Sequence, residues 1–291
     1  MKNQQLKARL QAHLQQIARE RDPYFASGGH FFVREYIRQQ LAQWGTVEVH
    51  EFQYQSRTYQ NLILNLPTAS VAAKPLILIG AHYDAVSGSP GADDNATGVA
   101  VLLELAQAIA QALTSWQLSP QRPKHPVRLV AFDLEESGLV GSRYYATQLK
   151  QQGQSLRLML SLEMLGYCDF RQGSQLYPPP LQYFYRDRGD FIGLIGNWLT
   201  LPDLLHLSRH LRQAGVPCEW LLAGSKGQIL AAVRRSDHAA FWDQNYRALM
   251  VTDTADFRNP HYHQSSDRLE TLDFDFLTAV CAGLTAGILC L

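Results

Sequence analysis

Two rhythms of apolar residues alternate along the chain. Helical spacing marks Met1–Arg21 and His30–Trp44, the second with Phe31, Phe32, Tyr36, Ile37 and Leu41 on its apolar face and Gly45 as its stop. Short β-rich runs then predict strands at Val47–Tyr54 and Tyr59–Leu66, joined across Gln55–Arg57, and at Pro75–His82 and Val127–Leu134. A packed helix is expected to start at Asn95–Leu105, after a Gly-rich turn, and to end near Trp116. Alternation continues through Gly141–Gln151, Leu156–Glu163, Phe191–Asn197, Pro202–Ala214 and Ala248–Thr252. Such a pattern predicts an α/β fold with a mixed, mainly parallel sheet and helices on both faces.

One globular domain over residues 1–291 is expected, with residues 1–45 as a helical segment packed on it. The apolar run Leu277–Leu291 has 15 residues broken by Thr and Gly, which is short for a membrane span of about 20. A core helix is the better reading. Gly166–Gly189, with three prolines at Pro178–Pro180 and many aromatics, reads as a long connection of the kind that forms lids or binding loops.

Composition narrows the partners. Apolar residues make up 46% and charged ones 18%, as in ordinary globular proteins, while 26 acidic and 26 basic residues balance. The basic residues are scattered, so neither a nucleic-acid footprint nor a polybasic membrane patch is expected. Cys168, Cys218, Cys281 and Cys290 lack metal-like spacing. The N-terminus lacks a secretory core, so free thiols in the cytoplasm are the expectation.

Candidate chemistry gathers where predicted strands end. His82-Tyr83-Asp84 puts an imidazole and a carboxylate on one side of an extended segment, as a metal ligand and the group that orients it would be. Asp93-Asp94-Asn95 precedes a helix. Asp133-Leu134-Glu135-Glu136 ends another strand with adjacent carboxylates, which can divide the labour of ligand and general base. Leu162-Glu163-Met164 adds an acid to a third strand, and His261-Tyr262-His263-Gln264-Ser265-Ser266-Asp267 adds two imidazoles, a phenol and an acid in a polar loop. Each motif alone is also explained by a strand end or a solvated turn.

In order, over Gly80 to Leu272, these segments resemble the M28 family of co-catalytic zinc peptidases, whose ligands run His-x-Asp, Asp-Asn before a helix, Glu-Glu, Asp or Glu, then Tyr-His. Gly91–Gly98 and Glu135–Ser142 carry the most specific parts of the likeness. The resemblance implies a zinc-exopeptidase-like fold and two zinc ions, with cobalt or manganese possible in the same ligands. His82 and Glu163 would hold one ion, Glu136 and His263 the other, and Asp94 would bridge them through a cis Asp94–Asn95 peptide. Glu163 stands where many relatives carry Asp.

It further implies Glu135 as general base, Tyr262 as a stabiliser of the developing oxyanion, Asp84 behind His82, and Ser236-Asp237-His238 beside the ligands. The substrate would be a peptide with a free N-terminus. Rival readings are a glutaminyl-cyclase-like mono-zinc acyltransferase, a carboxypeptidase or dipeptidase of the same fold, and a non-catalytic binding ectodomain. Asn95 after Asp94, Tyr262 before the last histidine and a full ligand set favour the aminopeptidase.

Overall fold

The structure, a computed structural model, describes residues 2–66, 74–114 and 123–291. Two helices open the chain, α1 (Lys2–Ile17) and α2 (Ser27–Ala42), followed by strands β1 (Val47–Tyr54), β2 (Arg57–Leu66) and β3 (Leu76–His82). Then come α3 (Gly98–Thr114), β4 (Val127–Phe132), α4 (Val140–Gln151), β5 (Leu156–Glu163), β6 (Ile192–Gly196), α5 (Leu201–Gln213) and β7 (Cys218–Leu222). The chain closes with α6 (His238–Asp243), β8 (Ala248–Thr252) and α7 (Phe274–Leu289). The strands form one sheet in the order β1-β2-β4-β3-β5-β8-β6-β7.

Its centre, β4-β3-β5-β8, is parallel. The β1–β2 hairpin joins antiparallel at one edge, and β6 joins β8 antiparallel at the other, with β7 parallel to β6. Period-2 alternation sends the strand residues to two cores. Ile77, Ile79, Leu158, Leu160 and Leu162 face α1, α2, α3, α5 and α7. Leu76, Leu78, Val130, Phe132 and Met159 face α4 and α6 through Tyr145, Leu149, Phe241 and Trp242. Both faces are covered, as the near-continuous apolar runs of β3 and β5 require.

The sequence-based bounds shift in informative places. Helix α1 stops at Ile17 rather than Arg21, and Arg21 turns inward to complete burial. The segment before α3 starts as a wide turn, Ala92–Thr97, in which Asp94 and Asn95 leave helical geometry, so the regular helix begins at Gly98. Trp116, its expected end, lies outside the described residues. Strand β7 and helix α6 were not expected: β7 is five residues at the sheet edge with a Glu and mostly half-buried side chains, and α6 is six residues without a cap. The run Ala92–Thr114 is long and apolar enough to cross a membrane, but 72% of its window is buried inside the protein, as befits a core helix.

Candidate active site

Neighbouring parallel strands deliver the candidate groups to one edge, where crevices form in open α/β sheets. His82 ends β3, Asp133, Glu135 and Glu136 follow β4, Glu163 ends β5, and the chain after β8 leads to Tyr262 and His263. Asp94 comes from the turn before α3. The Asp94–Asn95 peptide is cis. Asn95 ties this turn to the end of β5: Nδ2 donates to the Leu162 carbonyl at 2.8 Å, while Oδ1 accepts from the backbone of Gly98 at 3.1 Å and Met164 at 3.0 Å.

Ligand atoms converge in two sets about Asp94. Its Oδ1 lies 3.4 Å from His82 Nε2, which is 3.4 Å from Glu163 Oε1. Its Oδ2 lies 3.2 Å from His263 Nε2, which is 3.1 Å from Glu136 Oε2. Ligands at 2.0–2.1 Å from a tetrahedral zinc stand about 3.3 Å apart, so these spacings fit a coordination shell. Glu136 Oε1 is buried without a hydrogen-bond partner, and His263 Nε2 meets its two carboxylate neighbours only outside hydrogen-bond geometry. Buried polar atoms are seldom left so unless something else satisfies them, and a cation does. The imidazole and carboxylate donor set suits catalytic zinc.

Electrostatics in the metal-free form tell the same story. Burial raises Glu135 well above the usual carboxylate range, with repulsion from Glu163 and Glu136 adding to it against the pull of His82. Burial, then the Asp94 charge, takes Glu136 up to about 7. Burial would lower His263, but its contacts with Asp94 and Glu136 carry it to about 10, and the carboxylates around His82 likewise outweigh burial and raise it well above normal. Carboxylates packed this closely around two imidazoles favour a bound cation.

Supporting groups fix the ligands through backbone. Asp84 Oδ1 and Oδ2 accept from the backbone N–H groups of Glu135 and Glu136, each at 3.1 Å, and Oδ1 stands 3.4 Å from His82 Nδ1. Asp84 thus orients the imidazole, whose Nδ1 meets the Asp84 backbone carbonyl at 3.2 Å, and with its carboxylate holds the two acids. Ser236 donates to Glu163 Oε2 at 2.7 Å, and Asp237 is buried beside it with burial pushing its pKa to about 7. His238 instead turns into the core, where Nε2 meets the Val233 carbonyl and the ring packs edge-on to Trp242. Tyr262 stacks on His263 with centroids 3.8 Å apart and borders a cavity that also touches Glu163.

Other supports were not expected from sequence. Arg21, wholly buried, donates to the carbonyls of Tyr83 (2.8 Å), Pro90 (2.6 Å), Gly91 (2.9 Å) and Asp94 (3.1 Å), and also to those of Ile17 and Arg19. Gly91, at φ +55°, has no side chain to obstruct the guanidinium beside it. Asp267 accepts from the backbone of Asp93 and Asp94, and Asp93 accepts from Gly166 and Asn259. His30 and Tyr83 both reach Asp133, at 2.8 and 2.7 Å. Arginine in a polar N-terminal stretch carries no sequence mark of burial; only the Asp-rich motifs it serves could have suggested a buried cation.

Similarity to known proteins gives the family and the fold. The model of Peptidase family M28 matches residues 61–178. An uncharacterised Escherichia coli protein, YfbL, is 35% identical over 267 residues, covering 86% of this chain and 77% of its own. Fungal leucine aminopeptidases match as well, among them a probable one of Trichophyton verrucosum at 26% identity over 84% of this chain, and of that protein's length 60% is spanned. Other fungal relatives are spanned over about half their length. The Legionella pneumophila LapA aminopeptidase superposes with a TM-score of 0.71 at 18% identity, covering 97% of this chain and 71% of that one. BSAP, a zinc aminopeptidase of Bacillus subtilis, gives 0.56 at 22%, covering 81% and 50%. A Porphyromonas gingivalis glutaminyl cyclase gives 0.66 at 16%, covering 98% and 96%, so the fold is common to both chemistries. Ordered motifs, a matched family model and a relative aligned over most of both chains lead to one statement: this chain belongs to peptidase family M28.

Proposed function

We propose that the protein is a zinc-dependent aminopeptidase that binds two metal ions and removes residues from the free N-terminus of peptides. The observation that carries this is the pair of converging ligand sets that share Asp94, one oxygen facing each histidine. His82 and Glu163 would hold one ion, and Glu136 and His263 the other. Bound zinc supplies Lewis acidity and makes water a competent nucleophile near neutral pH. Aminopeptidases among its relatives and a zinc aminopeptidase among similar structures support the same reading.

Within that site, Glu135 is the general base. Its carboxyl is buried, with an oxygen within 4.8 Å of ligand atoms of His82 and Glu163, where a group must stand to take a proton from a water held there and return it. Glu135 accepts a proton from the attacking water as the new C–O bond forms, then gives it to the departing amine as the C–N bond breaks. Tyr262 donates its hydroxyl hydrogen to the carbonyl oxygen as charge grows there. Asp84 keeps His82 and the Glu135–Glu136 backbone in register. Four unpaired cysteines favour a reducing compartment, the cytoplasm.

Chelator-sensitive release of arylamine from aminoacyl arylamides, with none from N-acetylated versions, is the expected result. Metal content of two ions per chain separates this reading from a mono-zinc acyltransferase. Cyclisation of N-terminal glutamine without hydrolysis, or one ion per chain, would sink the proposal.

A further inference from the structure

A cavity of about 850 Å³, counting its open mouth, begins at Glu163 and Tyr262 and runs toward the β7 edge of the sheet. Its floor follows from strand register. Glu163 pairs across the sheet with Thr252, Thr252 with Gly193, and Gly193 with Glu219. These residues form one row on one face, and three inter-strand steps of about 4.8 Å put Glu219 roughly 14 Å from the metal-ligand end. Gly193 leaves the middle of the row without a side chain. Tyr177 and Tyr185 line the cavity as a stacked pair, centroids 5.7 Å apart, and Tyr185 is fixed by its bond to the Trp220 carbonyl at 3.0 Å.

Other charged groups at this cavity are already matched. Arg235 pairs with Asp256 at 3.0 Å and lies over the Tyr262 ring, and Arg258 beneath the floor donates to Gln175 and the Phe191 carbonyl. Arg186, nearby, pairs with Asp190. Among the described residues no cation pairs with Glu219, whose charge is felt by Tyr177 and Tyr185. An edge strand commonly carries a charge to discourage pairing with other chains. Glu219, however, lines the cavity on the same face as Gly193 and Thr252.

We infer that Glu219 is a specificity-determining residue, and that this cavity takes the long basic side chain of an N-terminal arginine or lysine. The inference rests on the aminopeptidase reading and names its preferred substrate. A cationic head at the far end meets a carboxylate without a partner, and its aliphatic stem lies along Ile195, Leu221 and the tyrosine faces, which also favour a cation. A leucine side chain fills the near half and strands the Glu219 carboxylate in a drier pocket with nothing to bind.

The test is kcat/KM of the zinc-loaded protein on arginyl, lysyl, leucyl and phenylalanyl arylamides. Arginyl and lysyl substrates are expected to exceed leucyl by ten-fold or more. Glu219→Gln should lower the arginyl-to-leucyl ratio by roughly 10- to 100-fold, mainly through KM, the size of a lost charged hydrogen bond. Glu219→Arg should lower it further. Calorimetric titration with argininamide and leucinamide in the Glu135→Gln background, where turnover of the amides is suppressed, gives a second readout, with argininamide affinity lost on adding Glu219→Gln and an unchanged melting curve verifying the fold. A leucyl preference in the parent protein, or a ratio and argininamide affinity unmoved by Glu219→Gln, overturns the inference. Absence of chelator-sensitive hydrolysis on every substrate overturns the aminopeptidase reading instead, and the argininamide titration still decides the role of Glu219.

Discussion

The ligand cradle and the cavity share Glu163 yet are held in different ways. In the cradle nearly every group is fixed by buried bonds to backbone: Asp84 to Glu135 and Glu136, Asn95 to Leu162 and Met164, Arg21 to four carbonyls around the metal loop. The cavity is walled by residues of a long connection and an edge strand, with Leu176 well exposed. Backbone-directed bonds hold atoms to fractions of an ångström, which a shared metal site needs; side-chain walls adjust, which recognition of a peptide tolerates. Changes in the cradle should therefore act on metal and chemistry, and changes in the cavity on binding.

The largest effect expected falls on Glu135. Glu135→Gln should lower kcat by about 10²–10⁴-fold or more with both metals retained and KM little changed, while Glu136→Gln should lower metal content because an amide is a weaker, neutral ligand. Metal analysis beside steady-state kinetics checks the pair, and a reversed outcome would exchange their roles. Arg21→Met comes next. It removes the donor from carbonyls that are buried with it, so a loss on the order of 3–5 kcal/mol in denaturant unfolding is expected, comparable to breaking a buried ion pair. Weaker cobalt binding and an altered cobalt absorption spectrum, measured where the variant is still folded, would show that the clamp orients Asp94 as well as stabilising the chain.

Tyr185→Ala sharpens the contrast from the cavity side. It deletes one face of the stacked pair and the bond to Trp220, and should raise KM by roughly ten-fold for large side chains while leaving metal content intact. A loss of metal there would mean that the two regions are not separable.

The smallest effect concerns protons. In the metal-free protein His263 is raised from 6.5 to about 10, its contacts with Asp94 and then Glu136 outweighing burial, so its ion pair with Asp94 stabilises fully below about pH 6.5 and loses that contribution as pH rises through about 10. Glu136, raised from 4.5 to about 7, runs the same way, favouring the metal-free fold below pH 4.5 and losing this as pH rises through about 7. Zinc replaces these protons. Its binding at neutral pH should release protons and tighten as pH rises, which calorimetry in buffers of different ionisation heat detects; binding without proton release would refute the assigned ligands.

Legibility followed the same divide. Strands β3 and β5 are buried on both faces and read as near-continuous apolar runs ending in His82 and Glu163, and the motifs around Asp94, Glu135 and His263 are dense with polar groups whose order along the chain points to a site. The sheet centre and candidate ligands were therefore open to reading. Strand β7 was not, because an edge strand of five residues with half-buried side chains has neither alternation nor a long apolar run. Arg21 escaped because its partners are carbonyls, which every residue has, and its burial depends on contacts 62–73 residues away.

Those separations bear on when the protein becomes able to cut. Arg21 meets Asp94 across 73 residues, Asp93 meets Asn259 across 166, and Ser89 meets Gln264 across 175. Contacts so distant in sequence form late, after shorter loops have closed. A nascent chain that has released Asp94, Glu135 and Glu163 still lacks His263 and the Asp267 bonds that hold the metal loop. Hydrolytic competence thus waits for the segment after β8, and a copy stopped before it carries acids and histidines but no assembled site.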